Sequence, residues 1–236
     1  MDQPSFSVVR LNPKGDARAI RHGFPWVYAN EVVTDRRTKA MTAGTIAILE
    51  DAERRPMGLV AVNAASKIFC RILERNVDVA IDAAWFEAKF ARALKHRELI
   101  YTDPFYRLVH AEADGLPGVI VDRFGDVAVV QPNAAWADVL IETLVDALMT
   151  ATGVTTVIMN GTGRARTLEG LEEKTVVMRG TQPTGPIEAK MNGATYMADV
   201  MGGQKTGLFF DQRPNHAFAA GLAKGGDVLD MFSHVG

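Results

Sequence analysis

Gln204-Lys-Thr-Gly-Leu-Phe-Phe-Asp-Gln-Arg213 and Gly225-Gly-Asp-Val-Leu-Asp-Met-Phe-Ser-His-Val-Gly236 form the stretch whose reading decides the fold. A buried apolar strand over 227–232, closed by a glycine-containing turn, is the opening of a doubly wound α/β unit, with ligands at the carboxyl end of that strand. Between the two segments, Pro214 falls in a first helical turn and Gly225 just past a helix end, which predicts a helix over 213–224. Gly236 is then the first glycine of a nucleotide-type loop.

Working outward, Asn192-Gly193 between two short runs is a hairpin turn, placing a hairpin over 187–200. Thr181-Gln-Pro-Thr-Gly-Pro186 reads as a linker. Before it, strands over 106–110, 118–123, 127–131, 154–159 and 175–179, with an amphipathic helix over 135–150, give a β-β-β-α-β-β block. Gly161-Thr-Gly-Arg-Ala-Arg-Thr-Leu-Glu-Gly170 has no P-loop spacing and reads as a mobile loop with one helical turn. Asp82 caps a helix over 82–101 whose Trp85, Phe86, Phe90, Ala93 and Leu94 recur at helical spacing. That helix also carries Lys89, Arg92, Lys95, His96 and Arg97, either a solvated face or an RNA-contacting stripe. The first 75 residues alternate short strands (6–11, 44–50, 56–63, 68–73) with turns and one helix near Arg18, the pattern of a small β-barrel.

The fold class expected is multidomain α+β: a barrel over 1–75, a helix plus central α+β domain over 76–183, and the beginning of a Rossmann-type α/β domain over 184–236. With 47% hydrophobic and 23% charged residues in 236, the chain can build ordinary soluble cores. No apolar run reaches membrane-spanning length, and no signal-peptide pattern opens the chain, so the expected setting is cytoplasmic with no membrane partner. One cysteine, Cys70, excludes an internal disulfide and any cysteine-based zinc site; it falls on a barrel strand as a small core residue. The net charge of −2 hides an asymmetry: residues 1–75 hold 12 Lys/Arg against 8 Asp/Glu, the remainder 14 against 20. A basic module on a mildly acidic body is compatible with a nucleic-acid backbone as partner, and equally with chance in a short segment.

Three stretches in series resemble one family. Arg21-His-Gly-Phe-Pro-Trp-Val-Tyr-Ala-Asn-Glu-Val32 resembles the opening of a PUA-type RNA-binding domain, and Glu112-Ala-Asp-Gly-Leu-Pro-Gly-Val-Ile-Val-Asp-Arg-Phe-Gly-Asp126 resembles a hairpin motif of a central domain. The stretches 204–213 and 228–236 resemble a cofactor-entry motif and a first Rossmann motif. Together they are similar to the N-terminal part of class I S-adenosylmethionine-dependent large-subunit rRNA cytosine-5 methyltransferases. The resemblance implies a truncated Rossmann-type methyltransferase domain, S-adenosylmethionine as cofactor and ribosomal RNA as partner.

It also implies cofactor contacts by Lys205, Thr206, Gly207, Phe209, Asp211, Gln212, Arg213, Asp230, Phe232 and Gly236, and RNA contacts by Arg18, Arg21, His22 and Trp26. Arg213 and Lys205 suit a cofactor carboxylate, Asp230 suits a cationic group, and Phe209 and Phe210 suit an apolar wall. In this family a cysteine thiolate adds to carbon 6 of cytosine, giving an enamine whose carbon 5 attacks the methyl group. That nucleophile is expected beyond Gly236, no metal is expected, and the 236 residues alone are expected to be inactive. The alternatives are a non-catalytic RNA-binding module and, on the last motif by itself, a nucleotide-dependent oxidoreductase. An apolar edge at 227–232 would also favour a homodimer.

Overall fold

The computed structural model describes residues 6–203, 205–223, 225–231 and 235. The first unit contains β1 (Ser7–Arg10), α1 (Ala17–Arg21), β2 (Trp26–Tyr28), α2 (Arg36–Lys39), β3 (Thr45–Glu50), β4 (Pro56–Val62) and β5 (Ile68–Glu74). Its sheet runs β1-β3-β4-β5-β2, with β1 parallel to β3 and the other pairs antiparallel. The two edges meet at a Leu11–Val32 bridge, where Val33 N donates to Arg10 O (2.8 Å) and Asn12 N to Glu31 O (2.8 Å). These bonds close the sheet as the alternating strands predict, which removes exposed edges. Val9, Leu49, Val60, Phe69 and Cys70 fill the interior.

Next come α3 (Ala83–Glu98), β6 (Phe105–His110), β7 (Val119–Phe124), β8 (Val127–Pro132), α4 (Ala135–Val139), α5 (Ile141–Thr152), β9 (Thr156–Asn160), α6 (Arg164–Leu168) and β10 (Thr175–Arg179). The sheet order is β10-β9-β8-β7-β6, antiparallel except β8–β9, and α4 and α5 lie in the connection between that parallel pair. Asp82 accepts from Trp85 N at 3.0 Å and starts α3, a cap worth about 1 kcal/mol. One face of the sheet is covered by α3 and α5. There Phe86 stacks on Trp136 (5.9 Å, 6°) and on Phe90 (6.3 Å, 18°), all three buried.

The helix expected over 135–150 is two helices broken at Leu140. Trp136 Nε1 donates to Pro117 O (2.9 Å) and Asp138 accepts from Arg166 (2.8 Å), fixing the first short piece while α5 follows α3. The loop read as mobile is anchored. Arg166 is 1% exposed and donates to Pro132 O (2.7 Å), Asp138 (2.8 Å) and Glu172 O (2.8 Å). A buried guanidinium is tolerated only when its donors are satisfied, so these bonds tie the loop to the end of β8 and to α4.

Beyond the linker, β11 (Ile187–Met191) and β12 (Ala194–Ala198) form the Asn-Gly hairpin, followed by a 3₁₀ turn (Phe210–Gln212) and α7 (Arg213–Ala223). The hairpin and residues 200–210 cover the second face of the central sheet: Ala189, Met191, Ala198, Val200, Leu208 and Phe210 pack with Phe124, Val129 and Ile158. The buried strand expected at 227–232 is not formed over 227–231. Val228, Leu229 and Met231 are exposed, and no strand among the described residues pairs with this segment. A parallel strand is stable only between neighbours that satisfy its backbone and cover its faces. Residues 232–234 lie outside the described residues.

Candidate RNA interface and cofactor-motif region

The expected RNA contacts lie on and just beyond α1. Asp16 caps this helix by accepting from Ala19 N at 2.8 Å, and Ile20 turns inward. Arg18, Arg21 and His22 are exposed, but Arg21 is paired with Asp51. Arg55 donates to the same carboxylate at 2.8 Å. Burial alone would raise the Asp51 pKa; the Arg55 backbone N–H and the Arg21 and Arg55 guanidiniums outweigh it and hold the carboxyl down at about 2.

Trp26, half-buried on β2, also makes a contact within the protein. Its Nε1 donates to Glu112 at 2.8 Å, in the loop after β6, so this ring joins the barrel to the central domain. Arg71 extends the junction, reaching Glu112 at 3.2 Å and Glu169 at 3.0 Å. Glu169, just after α6 and 6% exposed, also accepts from Asn63 Nδ2 (2.9 Å) and Ser66 Oγ (3.1 Å). Sequence reasoning quoted Glu112 within a motif and passed over Arg71, Asn63 and Glu169. Partners 41 to 106 positions apart carry no local pattern that would reveal them.

Residues 205–207 of the stretch read as a cofactor-entry motif are anchored on the central sheet. Thr206 is buried, and its Oγ1 donates to Asp122 at 2.6 Å. Arg107 grips the other side of that carboxylate with bonds of 2.9 and 3.1 Å. The Asn160 amide donates to Lys205 O. At Gly207 (φ +99°) a Cβ would lie 2.7 Å from Asp199 O, so only glycine fits the turn. Lys205 Nζ lies 4.6 Å from the Phe209 ring centroid. Asp211 and Gln212 are exposed on the 3₁₀ turn, and Gln212 Oε1 accepts from Asn215.

Arg213 packs back on the central domain: its guanidinium is 4.3 Å from the Tyr101 ring centroid, Nη1 donates to Phe105 O (2.9 Å) and Nε to Asn192 Oδ1 (3.3 Å). A depression of about 280 Å³ takes in Asp211 and Arg213 but not Asp230, which is exposed on the irregular 227–231 segment. Phe232 and Gly236 lie outside the described residues. The described part of the motif therefore fits a cofactor site only in part: Asp211, Gln212 and Asp230 are accessible, whereas Thr206 and Gly207 serve the local fold.

Other chemistry is limited. Cys70 is fully buried and burial pushes its thiol pKa up, away from thiolate chemistry. Among the described residues no group of three His, Cys, Asp or Glu could hold a metal, and no helix is long and apolar enough to cross a membrane. In the basic helix α3, Lys89 pairs with Glu74 (3.3 Å) and Arg97 with Asp114 (2.6 Å), while Arg92, Lys95 and His96 are exposed.

Comparison with known proteins places this architecture. Residues 9–75 match the family model described as a PUA-like domain. The fold is shared with a proposed S-adenosylmethionine-dependent methyltransferase from Streptococcus mutans (TM-score 0.74, 14% identity, 90% of this chain and 53% of that one). It is shared also with SMU.776, a proposed methyltransferase complexed with SAH (TM-score 0.73, 14% identity, 89% and 52%). More specifically, the chain is similar in sequence to proteins named ribosomal RNA large subunit methyltransferase I. It is 33% identical over 231 residues to the protein of Shewanella denitrificans and 34% identical over 232 residues to that of Alteromonas mediterranea. Each match takes in 97% of this chain, which spans 58% and 57% of those relatives. The relatives' names agree with the three motifs at the level of a large-subunit rRNA methyltransferase.

Proposed function

We propose that the chain is the N-terminal, RNA-engaging portion of a class I S-adenosylmethionine-dependent methyltransferase acting on cytosine carbon 5 of large-subunit rRNA. The observation that carries this reading is the match to large-subunit rRNA methyltransferases over 97% of the chain, with a PUA-like unit at 9–75. In this reading α1 offers Arg18, Arg21 and His22 to RNA phosphates, giving salt-dependent binding. Asp211, Gln212, Asp230, Phe232 and Gly236 face S-adenosylmethionine, which supplies the methyl group when bound; Lys205 and Phe209 line the approach. Cys70 is not the nucleophile in this reading, because it is buried with its thiol held protonated.

By itself the chain then behaves as an RNA-binding module without methyl transfer, in a cytoplasmic setting. Exposed Val228, Leu229 and Met231, with Phe218 and Leu222 on α7, also favour self-association. The test is incubation with labelled S-adenosylmethionine and unmodified large-subunit rRNA, for the 236 residues and for the coding sequence continued past Gly236. Label on cytosine only with the longer chain is expected. Label transferred by the 236 residues, or label on another nucleotide with the longer chain, contradicts the proposal.

A further inference from the structure

Tyr106, Tyr101 and Arg213 form one stack. The tyrosine rings lie 5.4 Å apart at 20°, and the guanidinium sits 4.3 Å from the Tyr101 centroid. Tyr106 is buried. Hydrogen bonds to Phe105 O and Asn192 Oδ1 set the plane of Arg213 across a separation of more than 100 positions. The stack therefore ends in an oriented, planar cation.

Arg213 is the shared wall of two depressions. One, about 280 Å³, is bordered by Arg97, Arg107 and His110; the other, about 420 Å³, by Thr102, Lys190 and Thr195. Arg97 and Arg107 are held in place by Asp114 and Asp122, both largely buried behind them. Each hollow is near the lower end of the range for ligand pockets. Their linings mix guanidinium, ammonium, imidazole and hydroxyl groups with one carboxylate each, Asp211 in the smaller hollow, left to the cofactor, and Asp103 in the larger. An apolar ligand would cover the exposed Lys190 and His110 without offering them a partner. A chain of unstacked bases joined by phosphates would meet them, because Arg planes stack on bases and cations track the backbone.

We propose that this double cleft binds a short single-stranded segment of RNA, with one base on the face of Arg213 turned away from Tyr101 and the flanking phosphates toward Lys190 and His110. The inference rests on the RNA-engaging reading above and adds a contact surface on the central domain, separate from α1. It also gives Arg213 an RNA-facing role in place of the cofactor carboxylate.

The test is fluorescence anisotropy of a labelled single-stranded octaribonucleotide of mixed sequence with the 236-residue chain. Arg213→Ala is expected to weaken binding about tenfold, as loss of a stacked base does. Arg213→Lys, which keeps the charge and loses the plane, should recover only a minor part of that loss. Exposed Lys190→Ala should lower both affinity and salt dependence, and exposed Lys174→Ala, outside the cleft, should change neither. Unchanged thermal melting of Arg213→Lys separates lost contact from lost fold; if that variant melts early, the Lys190→Ala and Lys174→Ala contrast decides. Equal losses for Lys190→Ala and Lys174→Ala, with Arg213→Lys binding like wild type, would mean diffuse attraction and overturn the cleft. Retained binding to an rRNA transcript that is lost in Arg18→Ala but insensitive to Arg213 and Lys190 would sink the cleft alone. No binding to either RNA would sink the RNA-engaging reading with it.

Discussion

Replacing Glu169 by alanine should loosen the junction between the barrel and the central domain. Its buried carboxylate receives Arg71 at 3.0 Å, Asn63 at 2.9 Å and Ser66 at 3.1 Å. Removing one partner of a buried ion pair costs about 3–5 kcal/mol when the other charge is left uncompensated. Arg71 keeps Glu112 at 3.2 Å, and Asn63 keeps the Glu169 carbonyl at 3.0 Å. The expected loss is therefore at the lower end, about 3 kcal/mol. For a chain of this size, that lowers the Tm by roughly 6–12 °C. Urea unfolding followed by tryptophan fluorescence and by circular dichroism measures the loss and reports whether the two domains still unfold together. In a double-mutant cycle with Arg71→Met, the coupling should be about 1–3 kcal/mol. A Glu169→Ala loss under about 0.5 kcal/mol, the range of ordinary surface changes, would refute the reasoning by showing the junction to be solvated.

Other consequences can be measured on the same protein. Asp51, depressed in the folded state to about 2 from an ordinary 3.8, stabilises the barrel above the unfolded value; stability should fall as pH drops from 4 toward 2, and Asp51→Asn should flatten that part of the profile. Thr206→Val removes one donor to buried Asp122 and should cost about 1–3 kcal/mol, with faster hydrogen exchange over 199–208. Cys70 should resist iodoacetamide in the native protein and react on unfolding, since its thiol is buried and held protonated. Gly207→Ala, forced to φ +99° with a Cβ 2.7 Å from Asp199 O, should destabilise by about 1–3 kcal/mol on differential scanning calorimetry.

Local pattern carried most of the fold. The short apolar runs 45–50 and 56–62 set between turns, the helical spacing of Trp85, Phe86 and Phe90, and the Asn192-Gly193 turn each express their structure within a few residues, and each is where the spacing put it. The break at Leu140 was not legible, because it depends on where Pro117 and Arg166 hold the first short helix. Arg166 itself looked like a loop arginine, and only the folded chain shows what it satisfies. In the candidate site the motif segment was found but its division of labour was not. Thr206 reads as a contact residue in one dimension, yet in three it is a buried donor to Asp122, 84 positions away. Trp26 reads only as an RNA contact, and its bond to Glu112, 86 positions away, has no local signal. The apolar run 227–231 has the composition of a buried strand, but burial needs neighbouring strands, which composition cannot supply.

Filter binding of an unmodified large-subunit rRNA transcript to the 236-residue chain, over salt from low to above physiological concentration, tests the central claim most directly. Saturable binding whose affinity falls linearly with the logarithm of salt concentration, with a shallower slope in Arg18→Ala, is the predicted result. Absence of binding at low salt, or affinity independent of salt, would contradict it.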